Sequence, residues 1–155
     1  MKRGVKVKDG GGGNEAVPLR AGLDLEPALT TAWRARTFVS EMLEVWDCDD
    51  PDEVAILLTS EVVTNAVRHT TESIRLELSL GADGALVVET TDDHPARPFV
   101  KPTSTTREGG RGMLMVERLA RRWGVRPAGG HKVVWFEVVV VPRGSKVATV
   151  PLAGS

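Results

Sequence analysis

The sequence predicts an α/β fold, a two-layer sandwich with helices on one face of a mixed, mostly antiparallel sheet. Three observations predict it. A long apolar helix follows a start signal at Asp50, residues 74–91 have the alternation and the turn of a β-hairpin, and residues 133–141 form a strongly β-prone segment. The predicted order of helix, helix, strand, strand, helix, strand is best satisfied by helices layered on one side of one sheet.

Composition limits the class of protein. The chain has 155 residues, the size of one domain, and 20 basic against 21 acidic residues give a net charge of −1. This balance argues against a general nucleic-acid binder and against a polybasic membrane binder. Its single cysteine, Cys48, excludes an intrachain disulfide and cysteine-based zinc clusters. No apolar run approaches the roughly 20 residues of a membrane span, so we expect a cytoplasmic protein.

The chain divides into one domain and two tails. Residues 1–17 contain a glycine run and scattered charge without apolar periodicity, which predicts a flexible tail. Residues 142–155 have little pattern and are predicted to be a second tail. The domain therefore spans residues 18–141.

Two helices are predicted in the first half of the domain. A rough apolar stripe indicates a helix from Pro27 to Leu43. In the second helix Asp50 can cap, Pro51 suits the first helical position and Glu53 supplies the acid at the third. This helix is predicted to end near His69, and because it is apolar on most sides it should be central.

A hairpin, a long loop and a second α/β unit follow. Apolar and polar residues alternate over Ile74–Leu80, the segment 81–84 has turn chemistry, and Ala85–Thr91 is the return strand. The irregular stretch from Asp92 to Arg111 is about 20 residues long, and loops of that length are usually functional. Residues 112–123 are predicted as an amphipathic helix and 133–141 as the last strand.

The central helix carries a polar stripe. Glu61, Asn65 and His69 are spaced four apart and therefore share one helix face. Burial of an unpaired carboxylate or amide is costly. The stripe must face solvent, a partner group or a ligand cavity, and the apolar residues around it leave little of the helix for a plain solvent face.

Two further signals lie in the second half of the domain. Asp92 ends a strand, where an acid is either a turn former or an acceptor for an exocyclic amine such as that of adenine. The segment Glu108–Gly112 is rich in glycine and leads into a helix, so its backbone N–H groups can face an anion, with Arg111 as an added charge. Its spacing matches neither a Walker loop nor a dinucleotide fingerprint.

Together and in this order, the three signals resemble the GHKL (Bergerat-fold) ATPase and kinase superfamily. LLTSEVVTNAVRHT is similar to its N-box, VVETTDDHPARP to a divergent first G-box, GGRGMLMVERLARRWGV to the second G-box and HKVVWFEV to the closing strand. The resemblance covers roughly residues 25–141. It is closest to small actinobacterial ATP-binding regulators, the anti-sigma-factor serine kinases.

The resemblance implies a role for each candidate residue. Asn65 would ligate Mg²⁺, which bridges the phosphates of ATP, and Glu61 would orient or deprotonate the attacking hydroxyl. Asp92 would bind the adenine amine, although the adjacent Asp93 is an alternative. The lid residues Gly110, Arg111 and Gly112 would approach and hold the phosphates.

The resemblance implies a serine/threonine protein kinase that phosphorylates a small antagonist protein and sequesters a sigma factor, with protein partners, no direct nucleic acid, no membrane and a homodimer as an allowed assembly. One departure favours a different class of function. The first G-box of the family is usually Asp-x-Gly-x-Gly, whereas no glycine follows Asp92 closely here. The alternative is an ATP-binding interaction switch without significant kinase activity. A sensor histidine kinase fragment is disfavoured, because no dimerisation and phosphoacceptor region precedes the ATPase-like segment.

Overall fold

A sheet forms one layer of the protein and helices form the other. The computed structural model describes residues 4–6, 18–92 and 110–144. Its strands are β1 (Gly4–Lys6), β2 (Leu19–Leu25), β3 (Cys48–Asp49), β4 (Ile74–Leu80), β5 (Ala85–Asp92), β6 (Arg122–Ala128), β7 (His131–Val139) and β8 (Val141–Pro142). Its α-helices are α1 (Thr31–Val45), α2 (Val54–His69) and α3 (Gly110–Leu119).

The main sheet has the strand order β1-β2-β4-β5-β7-β6, and each of its pairings is antiparallel. Strands β3 and β8 form a separate two-stranded pair. The predicted α/β two-layer sandwich is therefore confirmed. The first predicted tail contains strand β1, and the second predicted tail contributes Pro142 to strand β8. Residues 143–144 are also described, and the other tail residues lie outside the described residues.

The core lies between the helix layer and one face of the sheet. The predicted alternation of β4 is confirmed, because its apolar residues are buried and its polar residues are partly or fully exposed. Leu58, Val62 and Val63 of α2 are almost completely buried, as expected of a central helix. Each such side chain contributes about 2 kcal/mol through removal from water.

Helix α1 begins four residues later than the stripe predicts. The Thr31 hydroxyl donates a hydrogen bond to the carbonyl oxygen of Glu26 at 2.6 Å and accepts one from the N–H of Ala28 at 2.8 Å. These two bonds hold the preceding residues, including Pro27, in a turn. The helix therefore starts at Thr31 rather than at Pro27.

The start of α2 confirms one prediction and corrects another. Both oxygens of the Asp50 carboxylate accept backbone hydrogen bonds, from Ala55 at 2.9 Å and Ile56 at 3.0 Å, so Asp50 is the capping acid. Asp52 and Glu53 have φ angles of 56° and 55°, in the left-handed region. Pro51 and Glu53 consequently lie in a short 3₁₀ turn before the helix, and not within it.

Three strands of the main sheet, β1, β2 and β6, are missing from the predicted order, as are the short strands β3 and β8. In strand β2 the apolar residues Ala21, Leu23 and Leu25 are buried, whereas the alternate residues Arg20 and Asp24 are exposed. The third helix was predicted to reach Trp123, but it ends at Leu119 and Trp123 belongs to β6. Gly124 weakens a helix at this point, and the two-residue alternation of 122–126 suits an edge strand.

Candidate functional site

Helix α2 carries two polar side chains on the side where it meets α3. Glu61 and Asn65 are half-buried and lie one turn apart, between the buried residues Val62, Val63 and Ala66. In the parts of the chain that the structure describes, neither side chain has a hydrogen bond or an ion pair. The stripe therefore does not form a simple solvent face. His69, its third member, is exposed at the end of the helix.

Asp92 lies at the end of β5 on the face of the sheet that the helices cover. Its alternation partners Val88 and Thr90 are buried on the same face, and α2 packs against β5 and β7. As a whole residue, Asp92 is only 4% exposed. Among the described residues, its nearest cation is the ammonium of Lys132, with Nζ 3.8 Å from Oδ2, which is too long for a strong hydrogen bond. Within the described part of the chain, Lys132 is the only side chain that pairs with this carboxylate.

The glycine-rich segment places the first turn of α3 against α2. Gly110 is the first residue of α3, and Met113 and Val116 of the same helix are buried in the core. Gly112 lies directly beside Glu61, because a Cβ atom built on Gly112 would be only 2.5 Å from Oε2 of Glu61. This contact joins two of the predicted site residues.

Several predicted features lie outside what the structure describes. They are the side chain of Arg111 and residues 93–109, which include Asp93, Glu108 and Gly109. The predicted roles of Arg111 and of the loop therefore stay predictions. The side-chain contacts that are described join Gly112 to Glu61 and Lys132 to Asp92.

Sequence reasoning missed Lys132 and the contact between Gly112 and Glu61. Lys132 lies directly across from Asp92 in the β5–β7 pairing, so the register alone identifies it. The sequence of β7 contains no signal for that register. The Gly112 contact depends on how two helices pack, which no local pattern specifies.

The donor set suits a hard cation that is held together with phosphates. Within the described residues, no group of three or more His, Cys, Asp or Glu side chains could hold a metal ion alone. A magnesium ion bound with a nucleotide needs only one or two protein oxygens. The Asn65 amide oxygen is half-buried and has no described partner, so it fits this requirement.

A second buried carboxylate has a different environment. Glu137 of β7 is also 4% exposed, but it points to the face of the sheet opposite Asp92. Arg122 donates two hydrogen bonds to it, at 2.7 and 3.0 Å, and Arg121 lies 3.7 Å away. The hydrogen bonds from Arg122 hold the pKa of Glu137 below its usual value. This carboxylate is fully engaged by the protein itself.

Comparisons with known proteins agree with this arrangement. The family model for the histidine kinase-like ATPase domain matches residues 25–138. Among solved structures, the chain is similar to the crystal structure of the RsbU and RsbW domains of Rv1364c from Mycobacterium tuberculosis, with 21% identity and a TM-score of 0.60. The match covers 80% of this chain and 33% of that chain, so this chain corresponds to about a third of the solved one. No curated protein matches the chain significantly.

The fold and the matched residues define an ATPase domain of the GHKL type. The chain belongs to the histidine kinase-like ATPase domain family, because the family model covers most of its length. The predicted family resemblance is therefore confirmed. In the described residues, no helix is both long and apolar enough to cross a membrane.

Proposed function

We propose that the protein binds ATP with Mg²⁺ and is an anti-sigma-factor-type serine/threonine kinase that phosphorylates a small antagonist protein. The observation that carries the proposal is the half-buried Glu61, which has no hydrogen bond or ion pair within the described residues. A module that only binds nucleotide has no need of a carboxylate at this position. A kinase needs an acceptor for the proton of the attacking hydroxyl.

The other candidate residues would each bind a different part of the Mg²⁺–ATP complex. Within the described residues, the buried Asp92 carboxylate has only the long contact with Lys132, which leaves acceptor capacity for the exocyclic amine of adenine. Backbone N–H groups at Gly110 and Gly112, with the charge of Arg111, would face the phosphates from the first turn of α3. Asn65 would hold the Mg²⁺, which when bound neutralises charge on the phosphates.

Glu61 is the proposed catalytic residue of this site. It lies one helical turn from Asn65, so a hydroxyl directed at a metal-bound nucleotide would also be near its carboxylate. The carboxylate would orient this hydroxyl and accept its proton. Catalysis would otherwise consist of positioning and charge neutralisation, as is usual for phosphoryl transfer.

The proposed partners are proteins. The chain shares its fold with a structure described as RsbU and RsbW domains, and the resemblance of its motifs to the anti-sigma-factor serine kinases supports protein partners. We propose that a small antagonist supplies the serine or threonine and that a sigma factor is sequestered in the cytoplasm. The proposal includes a homodimer. It includes no direct contact with nucleic acid and no contact with a membrane.

A second function has a specific observation in its favour. The residues after Asp92 are Asp93-His94-Pro95-Ala96-Arg97, so the glycines usual in the first G-box are absent. Less backbone freedom beside the adenine pocket suits a domain in which nucleotide binding changes a protein contact without turnover. The alternative is an ATP-binding interaction switch.

Two measurements separate these functions. Calorimetry of the full chain with ATP, with and without Mg²⁺, should show binding that is tighter with the metal, and no binding at millimolar ATP would refute both functions. Transfer of γ-labelled phosphate to candidate antagonist proteins should then occur for a kinase. Binding without transfer to any candidate antagonist would favour the switch.

A further inference from the structure

At Gly112 a larger residue would displace a neighbouring side chain, and the reason is space rather than backbone conformation. Its φ angle does not lie in the left-handed region, so an L-residue could adopt the same backbone. A Cβ atom at this position, however, would lie 2.5 Å from Oε2 of Glu61 and 3.5 Å from its Cβ and Cδ. Real Cβ atoms do not approach another heavy atom to 2.5 Å, so alanine at 112 requires a displacement.

We propose that Gly112 is a positioning residue for Glu61, which sets where the carboxylate lies by allowing the first turn of α3 to rest directly on it. The proposal rests on the proposed function, in which Glu61 accepts the proton. It adds a role for the missing Cβ of Gly112 to the one that the family resemblance implies, namely approach of its backbone to the phosphates.

The packing on both sides determines which atoms would move. Met113 and Val116 anchor α3 in the core, and Leu58 and Val62 anchor α2. Movement of either helix would disturb these buried contacts. The carboxylate is at the end of a flexible side chain and has no hydrogen bond or ion pair within the described residues to hold it. A methyl group at 112 would therefore displace the Glu61 carboxylate and leave the two helices in place.

A displaced base and a lost phosphate contact have different kinetic signatures. Misplacement of a catalytic group by about 1 Å lowers the rate of the chemical step by as much as a hundredfold. It does not weaken a ligand that the group does not hold. Loss of a phosphate contact raises the dissociation constant of the nucleotide instead.

The first test is phosphoryl transfer by Gly112→Ala beside Glu61→Asp and the double variant. Aspartate is one methylene shorter and leaves room for the methyl group. We expect Gly112→Ala to lower kcat by about tenfold or more, with the ATP dissociation constant within about threefold. In the Glu61→Asp background the same substitution should change kcat by less than about twofold. A raised dissociation constant with unchanged kcat, or an equal kcat loss in both backgrounds, would overturn the proposal.

The second test needs no activity and so separates this proposal from the proposed function. Alanine is a better helix former than glycine. Gly112→Ala should therefore raise Tm in a Glu61→Ala background, where the carboxylate is absent, and should raise it less or lower it in the wild type. Glu117→Ala, at an exposed position of α3, is the control and should shift Tm equally in both backgrounds. Equal shifts for Gly112→Ala would show that the contact does not form, whether or not the protein is a kinase.

Discussion

The buried carboxylates on the two faces of the main sheet differ in their hydrogen-bond and ion-pair partners. Asp92 and Glu137 have the same exposure, 4%. On the face away from the helices, here called the open face, Glu137 accepts two short hydrogen bonds from Arg122. On the helix-covered face, the one partner of Asp92 among the described residues is Lys132 at 3.8 Å. Burial of a charge is costly unless partners replace water. A carboxylate that is buried but only loosely paired is therefore the better candidate for a ligand contact.

Neighbouring polar residues show the same difference in pairing between the two faces. On the open face, Arg75 lies between Asp24 and Glu77, and Arg126 pairs with Glu89 across the strands. On the side of the helices, Glu61 and Asn65 have no such partners within the described residues. Substitutions on the open face should therefore affect stability, and substitutions on the helix side should affect nucleotide chemistry.

The largest expected effect comes from Glu61→Gln. The amide keeps the size of the side chain but cannot accept the proton, so phosphoryl transfer should fall by about 10²–10⁴-fold. Calorimetry should give an ATP affinity close to that of the wild type, and Tm should not fall. Glu117→Gln is the matched control on an exposed surface of α3 and should transfer phosphate normally. Transfer by Glu61→Gln at the wild-type rate would remove Glu61 from the mechanism.

A smaller effect on stability is expected from Glu137→Gln, and it should depend on pH. The pKa of Glu137 is below its ordinary value of 4.5 because Arg122 donates hydrogen bonds to the charged form. An acid whose pKa is lowered by folding stabilises the protein above its unfolded pKa, and this contribution is lost as pH falls through the folded value.

Glu137→Gln should therefore lower Tm at pH 7, by on the order of 3 °C. Below pH 4.5 its difference from the wild type should shrink. Thermal unfolding of both proteins at neutral and acidic pH measures this difference in Tm, with ATP affinity as the second readout. A Tm difference that is the same at every pH, or a loss of ATP affinity in Glu137→Gln, would contradict the proposed difference between the two faces.

The smallest effect is expected from Arg143→Ala. Arg143 bonds to Glu44 through two hydrogen bonds of 3.0 Å and to Asp49 at 3.1 Å, but all three side chains are largely exposed. Exposed ion pairs stabilise little, and the backbone bond from Arg143 to the carbonyl oxygen of Asp47 is retained. We expect Tm to fall by less than about 2 °C and ATP binding to stay unchanged. A fall of many degrees would show that β8 is held mainly by these side chains.

Much of the fold follows from local patterns, because the segments that were predicted correctly have strong ones. The alternation in β4 and the capping acid Asp50 each depend on residues close in sequence, and both are confirmed. Strand β6 was missed because the preceding amphipathic pattern runs on to Trp123 without a stop signal before Gly124. The alternation around Gly124 becomes decisive only once β7 is paired beside it.

The site was predictable in part for the same reason. The spacing of Glu61 and Asn65 and the position of Asp92 at a strand end are local properties. Lys132 beside Asp92 and Gly112 against Glu61 join segments that are far apart in sequence. Strand register and helix packing produce these contacts, and a single sequence does not specify either one residue by residue.

The most direct test of the contrast between the two carboxylates is calorimetry of Mg-ATP with Asp92→Asn and Glu137→Gln, together with the Tm of each variant. An amide at 92 offers an N–H₂ group and a neutral oxygen in place of a charged acceptor, so ATP affinity should fall at least about tenfold with no loss of Tm. Glu137→Gln should show the reverse, a lower Tm with unchanged affinity. Wild-type affinity in Asp92→Asn would contradict the assignment of Asp92 to the nucleotide.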